Sequence, residues 1–172
     1  MSDARRPSGA EHSPYFGRYV SLVPDGRIVD TLRRQIGETL AFLSPLPDER
    51  ARHRYAPGKW SVKEVVGHVA DSERVFAYRA LRFARGDATE LPGFDEKQYT
   101  ANAPFDQRPL ADVLRELEAV RGATVALFQG LPDPAWDRSG VANGDPVTVR
   151  ALAWIIAGHE RHHRAVLAER YL

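Results

Sequence analysis

The sequence predicts an all-α fold, a four-helix bundle with long connectors. Three observations lead there. Four segments repeat apolar residues with the 3.6-residue period of an amphipathic helix, no segment shows convincing strand alternation, and 172 residues suffice for one domain with a substantial core. Four such helices bury their apolar stripes most simply against one another.

Residues 1–24 contain Pro7, Gly9, Pro14 and Pro24 and read as a flexible lead-in, extended around Tyr15, Phe16 and Tyr19. The bundle domain then occupies residues 25–172. Its first helix is expected from about Arg27 to Leu43, with Ile28, Leu32, Ile36 and Leu43 inward and Pro45 and Pro47 as stops. The second starts at Ser61, where Ser61 and Glu64 form an S-x-x-E capping box. It continues to about Arg85 and Gly86, turning Val62, Val65, Val66, Val69, Phe76 and Phe83 inward. The third opens near Pro109, a suitable first helical residue, and runs through Leu110, Val113, Leu114, Leu117, Val120, Leu127 and Phe128 to Gly130 and Pro132. The fourth spans roughly Val147 to Glu169. Between the second and third lies a connection of about 23 residues through Gly93, Asp95, Tyr99 and Pro104, long enough to cross the end of a bundle or to cover a site. There is no internal repeat and no low-complexity segment.

Composition removes several function classes. Lys plus Arg number 24 against 23 Asp plus Glu, and neither sign forms a block, so neither nucleic acid nor a membrane surface is an expected partner. The absence of cysteine excludes disulfides, thiolate metal sites and a cysteine nucleophile; any metal must be held by histidine, carboxylate or water. The N-terminus lacks the apolar core of a signal peptide, and no stretch approaches the ~20 apolar residues of a membrane span. The chain is expected to be cytoplasmic.

The chemistry concentrates near the end of the chain. His159 and His163 are four residues apart, so on a helix turning about 100° per residue they stand one above the other, near enough to hold one metal ion. The same stripe carries Leu152, Ile155, Ile156 and Val166, which turns the pair toward the interior. One helix offers only two such ligands. His68, on the flank of the second helix's apolar stripe, supplies a third, giving a three-histidine face with positions left open for water or substrate. The competing reading of the same spacing is three part-buried histidines hydrogen-bonded to carbonyls or carboxylates.

Two stretches carry a resemblance. The segment Trp60-Ser61-Val62-Lys63-Glu64-Val65-Val66-Gly67-His68-Val69-Ala70-Asp71-Ser72-Glu73, together with Gly158-His159-Glu160-Arg161-His162-His163-Arg164, resembles the two signature segments of the DinB/YfiT-like superfamily. The connector Pro92-Gly93-Phe94-Asp95-Glu96-Lys97-Gln98-Tyr99 is similar to that family's loop, so the likeness extends over about residues 25–172. The resemblance implies up-down-down-up topology, a divalent ion such as zinc or nickel on His68, His159 and His163, and a homodimer. It also implies an enzyme acting on a small molecule. Members of this family include transferases and isomerases that use low-molecular-weight thiols such as mycothiol or bacillithiol, which favours thiol S-transfer, with hydrolysis by a metal-bound water next. The opposing class is a non-enzymatic metal-binding or stress-linked bundle with a structural site.

Other polar residues have simpler expectations. His159 to His163 also matches H-E-x-x-H, the helical signature of zinc peptidases, with Glu160 as general base; yet the only later candidate ligand is Glu169. Glu160 and His162 stand as candidate catalytic groups, His162 about 60° off the inward stripe and so at the rim of the site. Glu64 is expected to cap its helix and Asp71 to face solvent, with orientation of His68 as the alternative role for each. Glu73 projects into an apolar stripe and needs a partner, expected to be an arginine. His12 and His53 are expected to be exposed, and Trp154 to face outward onto a connector or a second subunit.

Overall fold

A computed structural model describes residues 3 and 5–172. Its elements are α1 (Pro14–Val20), α2 (Ile28–Leu43), α3 (Val62–Ala84), α4 (Glu96–Asn102), α5 (Leu110–Gln129), the strands β1 (Ser139–Ala142) and β2 (Asp145–Thr148), and α6 (Val149–Arg170). The long helices α2, α3, α5 and α6 form the expected four-helix bundle. Ser61 caps α3 as its spacing predicts, accepting from the Glu64 amide while Glu64 Oε2 accepts from the Ser61 amide at 2.8 Å. Pro109 stands at the N-cap of α5, one position earlier than expected.

Two core clusters establish the direction of each helix. One gathers Leu43 from the end of α2, Val62 and Leu110 from the starts of α3 and α5, and Leu167 from the end of α6. The other gathers Ile28, Phe83, Phe128 and Val149 from the opposite ends. Thus α2 and α6 run one way and α3 and α5 the other, the up-down-down-up order. In cross-section α3 and α2 sit diagonally, each packed against both α5 and α6. Because α3 and α5 are parallel neighbours, residues 85–109 must return the full length of the bundle; this is the physical reason for the long connector. Its helix α4 lies against α3, with the Asp95 carboxylate capping the amides of Lys97 and Gln98.

The structure departs from the sequence reading at four places. The lead-in around Tyr15, Phe16 and Tyr19 is helical, not extended: Ser13 and Pro14 begin α1, which packs on α6 and buries Tyr19 and Val20. The approach is close at Gly158, where a Cβ would stand 2.0 Å from the Tyr19 carbonyl oxygen. Trp154 is fully buried rather than outward, because Arg6 lies over its indole at 4.6 Å while donating to the carbonyls of Val20 and Val23. His12 is buried as well, its Nδ1 2.8 Å from the Ser13 carbonyl, whereas His53 is exposed as expected. Finally, β1 and β2 form an antiparallel hairpin just before α6. Asn143 and Gly144 make its two-residue turn, both with positive φ (56° and 81°), the conformation an Asn-Gly pair adopts most readily.

Candidate metal centre

Each candidate ligand position follows from a local choice already described. The α3 cap places His68 about two turns into that helix, and α6 brings His159 and His163 to the same level from the antiparallel neighbour. His159 Nε2 lies 3.1 Å from His68 Nε2 and 3.1 Å from His163 Nε2. All three candidate ligand nitrogens fall within 4.8 Å of one another. Neighbouring nitrogens each about 2.1 Å from a single zinc would be separated by roughly 3.0–3.4 Å. The spacing therefore suits one ion. The three histidines that the sequence grouped are brought together.

Burial makes the cluster a neutral donor set. It pushes the His68 pKa down to about 4 and that of His163 to about 3, and lowers His159 well below the ordinary imidazole value; the neighbouring rings reinforce the effect on His159 and His163. Near neutral pH each ring keeps a lone pair for a cation. Ser72 Oγ lies 3.4 Å from His68 Nδ1, so the ring has a hydroxyl on its far side. Aromatic walls keep water back: Trp60 packs on His68 with ring centres 4.8 Å apart, Phe76 meets His159 edge-on at 6.0 Å, and Tyr19 meets the same ring at 5.3 Å. Burial raises the Tyr19 pKa to about 12, so its hydroxyl stays protonated; it accepts from Arg18 at 2.9 Å.

Glu160, the general-base candidate, sits in a separate buried network. Its carboxylate accepts from Arg121 at 2.7 Å and from Gln35 and Thr39 at 2.5 Å each. Arg121 in turn donates to both oxygens of Glu73 at 2.8 Å and to the Leu32 carbonyl at 3.0 Å, the arginine partner expected for Glu73. Burial alone would lower the Arg121 pKa, but Glu73 and Glu160 outweigh it and hold the guanidinium charged. Asp71 pairs with Arg74, and Glu64 with the Ser61 amide and Arg54; both thus spend their oxygens away from His68.

The front of the cluster opens into a cavity of about 660 Å³ that reaches His162 and His163 and is walled by Trp60, Tyr55 and Tyr171. His162 is half-buried there, its pKa lowered by burial and by Arg18. From the connector, Lys97 rather than Asp95 or Tyr99 lines this cavity. Tyr99 instead packs on Phe94, which meets Phe76. Sequence reasoning missed Tyr19, Trp60 and Lys97 as site residues. The i, i+4 spacing of Tyr15 and Tyr19 was the available signal for the first; Trp60 and Lys97 stand within family-like stretches, but nothing in their spacing marked them as lining the site.

Comparison with known proteins agrees with this geometry. The sequence profile described as the DinB superfamily matches residues 31–167. A protein of Oceanobacillus iheyensis named "putative metal-dependent hydrolase" is 30% identical over 140 residues, covering 80% of this chain and 78% of its own. A Geobacillus kaustophilus protein of the same name is 27% identical over 130 residues, 73% of this chain and 72% of its own. Among solved structures, YfiT from Bacillus subtilis superposes with a TM-score of 0.73 at 18% identity, over 96% of this chain and 90% of that one. It is described as "a probable metal-dependent hydrolase with an unusual four-helix bundle topology".

Proposed function

The chain belongs to the DinB superfamily, and from that membership and the three-histidine cluster we propose that it is a divalent-metal-dependent enzyme acting on a small molecule. The observation that carries this reading is the convergence of three neutral imidazoles behind a cavity large enough for a substrate. His68, His159 and His163 would hold the ion, and zinc or nickel suits such a nitrogen set. When bound, the ion supplies a Lewis acid that polarises a carbonyl and lowers the pKa of a coordinated water or thiol.

The chain's own residues do the rest. Trp60, Phe76 and Tyr19 exclude bulk water from three sides, which strengthens every electrostatic interaction at the cluster. Ser72 orients the His68 ring. His162, at the rim of the cavity, is placed to take up a proton; Glu160 is committed to Arg121 and acts as a structural anion.

Hydrolysis is the first reading, supported by the names its relatives carry. Transfer of a low-molecular-weight thiol to an electrophile is the second. It is supported by the likeness of the Trp60–Glu73 and Gly158–Arg164 segments to a family with thiol-using members. Metal-loaded protein, metal-depleted protein and His159→Ala should be assayed against small esters, amides and electrophiles, with and without added thiol. Metal- and His159-dependent turnover without thiol establishes the hydrolase, and turnover only with thiol the transferase. Equal rates in wild type and His159→Ala, with metal removal lowering only the melting temperature, would make the protein a non-enzymatic bundle with a structural ion.

A further inference from the structure

Most cations of this protein have a partner within the fold. Of its 24 Lys and Arg residues, five have side chains that make neither an ion pair nor a hydrogen bond among the described residues: Arg50, Lys59, Arg85, Lys97 and Arg170. Three of those five, Lys59, Lys97 and Arg170, line the cavity in front of the histidine cluster. They come from the loop before α3, from α4 and from the last turn of α6, so no local pattern brings them together. The remaining lysine, Lys63, is buried and fully engaged with Asp48 and the Arg108 carbonyl.

Among the described residues no Asp or Glu lines the cavity, so its lining offers these cations no counter-charge. Lys59 and Arg170 both approach the ring of Tyr55, at 5.8 and 5.5 Å, so two like charges are drawn to one aromatic ring. Arg170 alone would be explained by the C-terminal end of its helix, which favours a cation. Lys59 and Lys97 have no such explanation. Like charges gathered at a concave surface repel one another, and a bound anion relieves that repulsion.

The geometry points to a substrate that is a small organic polyanion, carrying two or three oxyanion groups on a flat apolar body. Lys59, Lys97 and Arg170 bind the oxyanions, Trp60 and Tyr171 take the apolar body, and the reacting end lies toward His162 and His163. This rests on reading the histidine cluster as the reacting centre. It adds a charge requirement that the cluster does not itself impose: three neutral imidazoles and an ion would accept a neutral substrate equally well.

Naphthalene sulfonates test this directly, because sulfonate is a poor metal ligand and the probes report the cations. Calorimetric titration of zinc-loaded and metal-depleted protein with 2-naphthalenesulfonate, naphthalene-2,6-disulfonate and naphthalene-1,3,6-trisulfonate should show affinity rising along the series and falling with salt. Each single substitution, Lys59→Gln, Lys97→Gln or Arg170→Gln, should weaken trisulfonate binding about threefold, and the triple variant about thirtyfold. The double variant Arg50→Gln/Arg85→Gln removes two equally unpaired cations elsewhere and should change affinity by less than about twofold. The polyanion site is overturned if the trisulfonate fails to bind wild type, binds the triple variant as well as wild type, or responds equally to the Arg50/Arg85 control. Cation-dependent binding in a protein that holds no metal would instead sustain the anion site and remove the metal-enzyme reading. Stoichiometric metal without charge-dependent binding would do the reverse.

Discussion

Replacing Glu160 by alanine would take one of two buried counter-ions from Arg121 and the acceptor of the Thr39 hydroxyl. Arg121 would keep Glu73 at 2.8 Å and the Leu32 carbonyl, and Gln35 would keep the Ala157 carbonyl at 2.9 Å. One guanidinium and two carboxylates become one and one, so no net charge is left unpaired, and the penalty is smaller than for breaking an isolated buried pair. Losing a charged hydrogen bond, leaving Thr39 short of an acceptor and opening a cavity together predict a loss of roughly 3 kcal/mol. For a chain of this size that corresponds to about 10 °C in melting temperature. Glu160→Gln keeps the shape: its amide oxygen can still receive Arg121 and Gln35, while its amide nitrogen can donate to Thr39, so a loss of about 1 kcal/mol is expected. Urea and thermal unfolding should be measured on metal-depleted protein, so that ion binding does not mask the difference. Elemental analysis of loaded protein should find Glu160→Gln with wild-type metal content and without peptidase activity to lose. An alanine variant as stable as wild type, metal loss in Glu160→Gln, or metal-dependent proteolysis that needs Glu160 would refute the assignment of this carboxylate to the Arg121 network.

Three other outcomes follow from the same packing. Because His68 and His163 titrate in the folded chain at about 4 and about 3 against the ordinary imidazole value of 6.5, the unfolded chain binds more protons below that value. Stability of the metal-depleted protein should therefore fall as pH drops from about 6.5 toward 4, by about 2 kcal/mol for each ring at pH 5; a flat urea midpoint between pH 7 and 5 would contradict it. Gly158→Ala places a Cβ 2.0 Å from the Tyr19 carbonyl oxygen and should displace α1, costing about 2–3 kcal/mol and accelerating amide exchange in Pro14–Val20; unchanged exchange there would mean α1 does not depend on that contact. Gly144→Ala forces a β-carbon onto a residue at φ 81° and should lower stability by about 1 kcal/mol, measured by urea unfolding, with Gly37→Ala, inside α2 with open space around it, as the contrasting substitution that does not destabilise.

The four long helices were legible because their determinants are local. Apolar period, the Ser61–Glu64 box and the terminating prolines all act within a few residues of the bonds they control, and so does the one-turn spacing of His159 and His163. α1 was not legible as a helix, since seven residues are too few to be helical alone and it exists only because α6 receives it at Gly158. The hairpin had its Asn143-Gly144 signal, but strands of four residues are too short to show an alternating pattern.

What the sequence by itself determined was the four long helices and the grouping of His68, His159 and His163 on inward faces, while the short α1 and α4 escaped it. Only the tertiary structure decided what those faces meet. A helical wheel assumes a single buried side, so it sent Trp154 outward, whereas the N-terminal segment covers that second side of α6. The H-E-x-x-H pattern places Glu160 beside a ligand in sequence, but Arg121, Gln35 and Thr39, from two other helices, draw its carboxylate into their own network. Lys59, Lys97 and Arg170 look in sequence like any solvated cations, and they become one charged cavity only when three distant segments converge on it. Helix formation is a property of neighbours along the chain, whereas charge pairing and burial depend on neighbours in space, which a chain acquires only by folding.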